Sequence, residues 1–273
     1  MKTLRVLLTL LFLGVISVAV AQNEFRGYPT QSGFEPQTES NSDFRMRLAL
    51  DFEKRLGRHF ELSLNEELRL EDNLKKVDRL NTQIALAYKV NPYLKIAANY
   101  VLMARYDKRF KTDDLGVDYV EKDWSLRHRF MFDLTGSVKL GQWKLSLKER
   151  VQATIRTDSV DVREKLDTEW EMKHRFQVQY SFRHKPWKPY AYVELRNTLN
   201  VQDIVGDNFL NRVRVSAGAE YLINSRSSFD FYYLFDYTKD YDIGFTKNKG
   251  LLKEFTTERG HYHTLGVQFN YKF

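Results

Sequence analysis

Apolar and polar residues alternate along most of the chain, with the period of two that places successive side chains on opposite faces of a β-strand. In the segment 44–53, Phe44 and Leu48 belong to an apolar face, whereas Arg45 and Arg47 belong to a charged one. Segments with this alternation occur at 44–53, 60–71, 80–90, 94–106, 124–138, 143–155, 170–182, 189–199, 210–222, 229–238 and 265–273. The pattern predicts a two-faced strand in each of these eleven segments.

The lengths of these segments and of their connections indicate a membrane barrel. Most segments have roughly 10 to 14 residues, enough to cross a bilayer as a tilted strand and longer than the average globular strand. Tight turns are expected near residues 57, 91, 141, 185 and 225, and longer, charged connections at 72–78, 107–123, 156–167, 200–209 and 239–260. Short turns at one end and long loops at the other are typical of outer-membrane barrels. We therefore expect an all-β fold, a transmembrane up-and-down antiparallel β-barrel.

The pattern leaves two strand numbers open. Single-chain bacterial barrels have an even number of strands, so we expect about twelve, with the twelfth within 24–42. Ten strands, with one segment misread, is the alternative. The segment 22–43 is polar and turn-rich, which also fits a loop or linker. The predicted organisation is a polar N-terminal segment at 22–43, read either as the first strand or as a linker, and a barrel at 44–273.

The N-terminus has the three parts of a secretory signal peptide. Lys2 and Arg5 precede an apolar run at 6–20, and the run ends in the small residues Ala19 and Ala21. The run is shorter than the roughly 20 apolar residues that a membrane-spanning helix needs. We therefore expect residues 1–21 to be a signal peptide that is cleaved after Ala21.

Composition narrows the possible functions. The chain has no cysteine, which excludes disulfides, thiolate metal sites and lipid attachment through a cysteine. The net charge of +7 is spread along the whole sequence, whereas a nucleic-acid interface would be clustered, so no nucleic-acid partner is expected. A mean hydropathy of −0.53 suits a barrel, because only alternate strand residues face lipid.

The polar faces carry charges of both signs, which we expect to line the lumen. The predicted basic belt comprises Arg45, Arg47, Arg127, Arg129, Lys173, Arg175, Arg196, Arg212 and Arg214. The predicted lumen carboxylates are Asp51, Glu53, Glu61, Glu67, Asp133, Glu194, Glu220, Asp230 and Asp236. One interpretation is that paired charges fill the lumen and stabilise the sheet, which gives a structural or interaction barrel. The alternative is a narrow pore for small, preferably anionic solutes. The first is favoured.

The apolar faces carry aromatic residues at the heights where a membrane interface is expected. These predicted interface aromatics are Trp124, Trp143, Trp170, Phe269, Tyr271 and Phe273. Glu149 is an exception, because the alternation places this carboxylate between Leu147 and Val151 on the lipid face, where burial would be costly. We expect a β-bulge to rotate Glu149 inward.

Histidines offer little support for catalysis or metal binding. His128 and His174 fall on the lipid face, and His261 and His263 form an H-x-H motif. Two histidines at this spacing could join a metal site, but no third ligand is evident, so a hydrated pair at the rim is favoured. No lipid-facing serine lies beside a histidine, as a lipid-modifying enzyme would need. We therefore expect no enzyme activity, no catalytic residues, no metal and no cofactor.

Three motifs stand out on the predicted strands: Trp124-x-Leu-Arg-His-Arg-Phe130, Pro189-Tyr-Ala-Tyr-Val-Glu-Leu-Arg196, and Asn211-Arg-Val-Arg-Val-Ser-Ala-Gly218 followed by Glu220-Tyr221. With these motifs the chain resembles a family of bacterial outer-membrane barrels catalogued as domain of unknown function 2490. The resemblance implies the outer membrane of a Gram-negative bacterium as the location and outer-membrane lipids as surroundings. The terminal segment 265–273, which ends on Phe273, looks like the strand that outer-membrane assembly machinery reads. The resemblance implies no solute and no other protein partner.

Overall fold

The computed structural model describes residue 33 and residues 35–112, 118–156, 168–200, 210–245 and 252–273, so the predicted signal peptide lies outside the described residues. The strands are β1 (Gln37–Leu56), β2 (Phe60–Glu71), β3 (Lys76–Asn91), β4 (Leu94–Thr112), β5 (Asp118–Leu140), β6 (Trp143–Arg156), β7 (Glu169–Tyr180), β8 (Trp187–Thr198), β9 (Leu210–Leu222), β10 (Ser227–Phe245) and β11 (Leu252–Lys272). Hydrogen bonds close them into one barrel, in which β1 lies between β2 and β11. The expectation of an all-β barrel is confirmed. Within these ranges, no helix is long and apolar enough to span a membrane.

The barrel closes through a parallel pair. Gln37 of β1 lies opposite Thr256 of β11, whereas sequential strands pair in antiparallel fashion. An odd number of up-and-down strands requires one such pair, because the first and last strands then run in the same direction. The expectation of twelve strands, or of ten, is therefore wrong for the described part of the chain, which has eleven. Residues 37–43 extend β1 instead of forming a separate strand, so the predicted boundary at Phe44 lies within β1.

Two hairpins extend further than the alternation predicts. β4 and β5 remain paired up to Thr112 opposite Asp118, and the β10–β11 pair extends similarly. The segments 107–123 and 239–260, which we expected to be long loops, are therefore strand for most of their length. Alternation is a poor guide here because backbone hydrogen bonds hold a ladder whether or not the strand has an apolar row.

The barrel exposes its apolar row and buries its charged row. Leu50, Ile84 and Phe132 are 47%, 49% and 54% exposed, whereas Asp133 and Glu194 are only 3% and 5% exposed. Charged side chains are rarely this buried in proteins unless they are paired. The inward face therefore needs an internal network of partners.

The turn between β2 and β3 is short and strained. Asp72, Asn73 and Leu74 all have positive φ angles of 56°, 52° and 69°. The carboxylate of Asp43 on β1 accepts hydrogen bonds from the backbone N–H groups of Asp72 (3.2 Å) and Asn73 (2.9 Å). In the turn itself, a hydrogen bond and the positive charge of Lys76 lower the pKa of the Asp72 carboxyl. Asp43 thus holds a turn conformation that these residues rarely adopt alone.

Asp43→Ala is expected to lower the free energy of unfolding by about 1–2 kcal/mol, because two backbone N–H groups lose their acceptor. Asp43→Asn keeps a side-chain oxygen at the same place and should lose less than half as much. Glu39→Ala, at an exposed position of the same strand, is the control. Urea midpoints of the detergent-folded protein measure the differences. Equal losses for Asp43→Ala and Glu39→Ala would contradict this role.

Candidate functional site

A continuous chain of ion pairs crosses four strands on the inward face. Arg175 on β7 donates to Glu194 on β8 over 2.7 Å. Arg214 on β9 joins Glu194 to Asp236 on β10, with both distances 2.9 Å. Arg212 lies 3.1 Å from the other oxygen of Asp236. The strand register places Arg175, Glu194, Arg214 and Asp236 side by side, so the pairs follow directly from the ladder.

A second group of pairs surrounds Glu171 on β7. Arg196 lies 2.7 Å from one oxygen of Glu171, and the amide of Gln152 donates to the other. Lys173 lies 3.9 Å away from the carboxylate. Arg129 donates to the hydroxyl of Thr154 over 2.9 Å. Glu171, which is almost fully buried, thus neutralises basic side chains of its own strand and of β8.

Two further carboxylates hold ion pairs between β5 and β6 and on β2, next to β3. Asp133 on β5 accepts two hydrogen bonds from Arg150, at 2.6 and 2.8 Å, and lies 2.8 Å from Lys148. Glu67 on β2 accepts hydrogen bonds from Arg69 at 2.6 Å and from Asn81 at 2.8 Å. Asp133 and Glu67 therefore each contact more than one donor.

A register shift adds a carboxylate that the alternation did not predict. Arg69 pairs with Arg79, but the next residue, Leu70, pairs with Val77, so Asp78 is the extra residue of a β-bulge. Asp78 accepts a hydrogen bond from Arg79 over 2.6 Å and lies 3.5 Å from Arg105. A single sequence does not reveal the bulge, because its position depends on the neighbouring strand.

One cavity between the described strands of this belt is small. Arg45 donates to Asp43 over 2.8 Å and stacks 3.6 Å over the ring of Tyr262. A polar cavity of about 40 Å³ remains between the walls, and arginines of β1, β2, β3 and β9 line it, including Arg47. This volume is about that of one liquid water molecule. Arg127 is buried on β5.

The carboxylates near the short turns have mostly lysine or tyrosine partners. The pairs are Glu53 with Lys272 (3.5 Å), Glu61 with Lys89 (3.0 Å) and Lys95 (3.3 Å), Glu220 with Lys188 (3.2 Å), and Asp230 with the hydroxyl of Tyr190 (2.9 Å). Asp51 lies opposite Asn65 in the β1–β2 ladder. The sequence did not predict these lysine partners.

Glu149 faces outward, so the expectation that a β-bulge turns it inward is wrong. β6 pairs in unbroken register with β5 and β7, which places Glu149 opposite Leu134 and His174. The Glu149 carboxylate is hydrogen bonded to Nδ1 of His174, whose Nε2 lies 3.2 Å from the amide nitrogen of Asn197. Asn197 is 0% exposed, although it lies on the outward face. Cross-strand hydrogen bonds, instead of a backbone rearrangement, offset the cost of the buried carboxylate.

Other outward polar groups are paired across strands in the same way. Glu66, which the sequence analysis did not single out, accepts a hydrogen bond from Thr82 over 2.8 Å. His128 lies 2.7 Å from the hydroxyl of Tyr100, and His263 lies 2.5 Å from that of Tyr233. His261 packs against the rings of Phe235 and Tyr237. Among the described residues, no three His, Asp or Glu side chains are grouped as metal ligands.

The predicted interface aromatics lie near both ends of the outward face. Trp124 and Trp170 lie toward the long-loop end, and Trp143 begins β6 at the short-turn end. All three are at least 45% exposed. At the short-turn end the rings of Tyr271 and Phe273 meet edge to face at 4.9 Å, and Phe269 packs on Phe229 at 5.2 Å.

A family model described as "Protein of unknown function (DUF2490)" matches residues 44–243. The chain belongs to this family. The predicted recognition is thereby confirmed, and it brings no functional residue with it. Among curated proteins no match was found.

Solved structures of outer-membrane barrels are similar to the chain at low identity. The β domain of the Bordetella autotransporter BrkA is 11% identical with a TM-score of 0.41, over 67% of this chain and 78% of that one. Outer-membrane expressed OmpT of Vibrio cholerae is 12% identical with a TM-score of 0.37, over 73% of this chain and 60% of that one. At these values the comparisons carry no argument about function.

Proposed function

We propose that the chain is an integral outer-membrane β-barrel of a Gram-negative bacterium, with a lumen filled by paired charges. Its role is then structural or in protein interaction, and not in solute transport. The exposed apolar rows support a lipid environment, because a water-soluble barrel would bury them. Strands of 12 residues or more exceed the length that a tilted strand needs to cross a bilayer.

The observation that carries the proposal is the ion-paired belt. Arg175, Arg212 and Arg214 share Glu194 and Asp236, so their positive charges are largely compensated within the wall. An anion-selective pore would instead need basic groups that are available to a passing ion. The cavity of about 40 Å³ at this height also leaves little room for a hydrated anion.

The outward apolar surface and the ends of the strands suggest which molecules contact the barrel. Outer-membrane lipids would contact the apolar rows, and assembly machinery would read β11 with its terminal aromatics. The extended β4–β5 and β10–β11 hairpins offer sites for other proteins. No catalytic role is part of the proposal. No cofactor is part of the proposal.

Planar-bilayer recording tests whether the lumen is closed. The mature protein is expected to give no steady conductance. A variant in which Arg212, Arg214, Glu194 and Asp236 are all replaced by serine removes most of the ion-pair chain across β8, β9 and β10 and should conduct, which also verifies insertion. Steady, anion-selective conductance of the unsubstituted protein would overturn the closed lumen and establish the narrow pore. Replacing Arg127, Arg129, Arg212 and Arg214 with serine should then raise conductance and lower anion preference.

The membrane location has a separate test. After secretion in a Gram-negative host, the processed protein is expected in the outer-membrane fraction. It should need detergent for extraction and should migrate differently on gels with and without heating. Recovery as a compact monomer in the aqueous fraction would contradict the location.

A further inference from the structure

A polar chamber of about 200 Å³ lies inside the short-turn half of the barrel. Its walls come from β7, β8, β9, β10 and β11 and include Gln177, Gln179, Tyr190, Tyr192, Asp230 and Asn270. Gln179 and Asn270 lie within two residues of the short-turn ends of β7 and β11. We call this space the short-turn chamber, and it lies on the short-turn side of the charged belt.

Two tyrosines form one wall of the chamber. The rings of Tyr190 and Tyr192 are nearly parallel, 6° apart in orientation, with centroids 6.5 Å apart. Tyr190 lies across β9 to donate its hydroxyl hydrogen to Asp230 on β10. Gly218 makes this crossing possible, since a Cβ atom there would lie 2.8 Å from the Tyr190 ring. The fold thus holds an aromatic surface beside a carboxylate.

The chamber contains an acceptor without a donor. Asp230 Oδ2 accepts the Tyr190 hydroxyl, but Oδ1 is buried and has no hydrogen-bond partner among the described residues. An unpaired carboxylate oxygen is costly, so a donor from a bound molecule would be stabilising. The side-chain amides of Gln177 and Gln179 line the same space, and each can donate and accept.

The charges around the chamber favour a neutral ligand. Arg175 is bound to Glu194, and Glu220 lies 3.2 Å from Lys188. An anion would face the Asp230 carboxylate. The Arg175 guanidinium, 4.4 Å from the centre of the Tyr192 ring, already occupies one face where a ligand cation could bind.

We propose that the short-turn chamber binds a neutral polyhydroxylated ring of monosaccharide size. Its hydroxyls hydrogen bond to the glutamine amides and, after a rotation of the Asp230 side chain that exposes Oδ1, to this carboxylate, and its C–H face packs against the tyrosines. A volume of about 200 Å³ corresponds to roughly seven waters, which suits one sugar ring and not an oligosaccharide. This inference goes beyond the proposed function and holds whether or not the belt is closed, because the chamber lies on one side of the belt.

Saturation-transfer NMR and titration calorimetry on the detergent-folded mature protein test the inference. The probes are glucose, galactose and N-acetylglucosamine, with glucuronic acid and glucosamine as charged analogues. At least one neutral sugar is expected to bind more tightly than either charged analogue. Asp230→Asn should weaken its binding roughly tenfold or more, because a charge-assisted hydrogen bond is lost. Gly218→Ala, which displaces Tyr190, should also weaken it.

Asp240→Asn is the matched control, since it makes the same change on the same strand at an exposed position outside the chamber. It should leave sugar binding unchanged. Heat-modifiable gel mobility establishes that each variant is folded. Binding of no neutral sugar to the folded protein, equal binding by Asp230→Asn, or tighter binding of glucosamine would each overturn the inference. Bilayer recordings test the closed lumen independently of sugar binding. Failure of the closed-lumen proposal can therefore be told apart from failure of the sugar-binding proposal.

Discussion

His174→Leu is expected to lower the free energy of unfolding by about 3–5 kcal/mol, because it leaves the buried Glu149 carboxylate without its partner. The pair lies on the outward face, where the proposed surroundings are hydrocarbon and offer no water to replace the imidazole. His174 is 6% exposed and Asn197 is 0% exposed, so the amide would lose a neighbour as well. Urea unfolding in lipid vesicles, followed by tryptophan fluorescence, measures the loss.

The double variant Glu149→Leu/His174→Leu distinguishes the effect of leaving Glu149 without a partner from the effect of losing the pair as a whole. It removes both polar groups together, so most of the stability should return, as found when buried ion pairs are replaced by apolar residues. His128→Leu is the matched control. It breaks a contact with the Tyr100 hydroxyl but leaves no carboxylate without a partner. The free energy of unfolding is therefore expected to fall by about 1 kcal/mol. Similar losses for His174→Leu and His128→Leu would show that Glu149 does not depend on the histidine.

The sequence predicts which face each side chain occupies, because alternation is a local property. The exposed row containing Leu50 and the buried row containing Asp133 both follow from it. The sequence cannot predict which residue lies opposite on the next strand. The error at Glu149 has this origin, since its partner His174 is 25 residues away and is found only through the β6–β7 register. The bulge at Asp78 was missed for the same reason.

The strand count failed for a different physical reason. An even number follows from antiparallel closure, whereas this barrel closes through parallel pairing of β1 and β11. Leu48 then lies beside Val267, and Leu50 lies beside Phe269, so the apolar row continues across the seam. Alternation in each strand is compatible with either closure. Only the pairing of the ends decides between them.

The interior also contains apolar residues that the alternation assigned to a polar face. Val101, Met103 and Met131 form a buried cluster on β4 and β5, and Leu234 is fully buried on β10. Such residues show that part of the lumen is packed in the manner of a protein core. Alternation alone does not reveal them, because it assigns their positions to the polar face.

Glu194→Leu is expected to lower the free energy of unfolding more than removal of a carboxylate near the short-turn end does. It leaves Arg175 without the carboxylate that it contacts at 2.7 Å, and Arg214 keeps only Asp236. Breaking a buried pair on one side typically costs about 3–5 kcal/mol. Glu53→Leu is the control, because its partner Lys272 is half exposed and lies 3.5 Å away, so a loss below about 1 kcal/mol is expected.

The double variant Arg175→Leu/Glu194→Leu tests whether the belt acts by charge compensation. Removing both members also removes the arginine that Glu194→Leu leaves without its carboxylate, while Arg212 and Arg214 still share Asp236, so stability should recover relative to Glu194→Leu alone. If Glu194 acted only by filling space, the second substitution would enlarge the void and stability would fall further. The direction of that change, measured from urea midpoints in lipid vesicles, therefore distinguishes paired charge from packing as the reason why the belt stabilises the barrel.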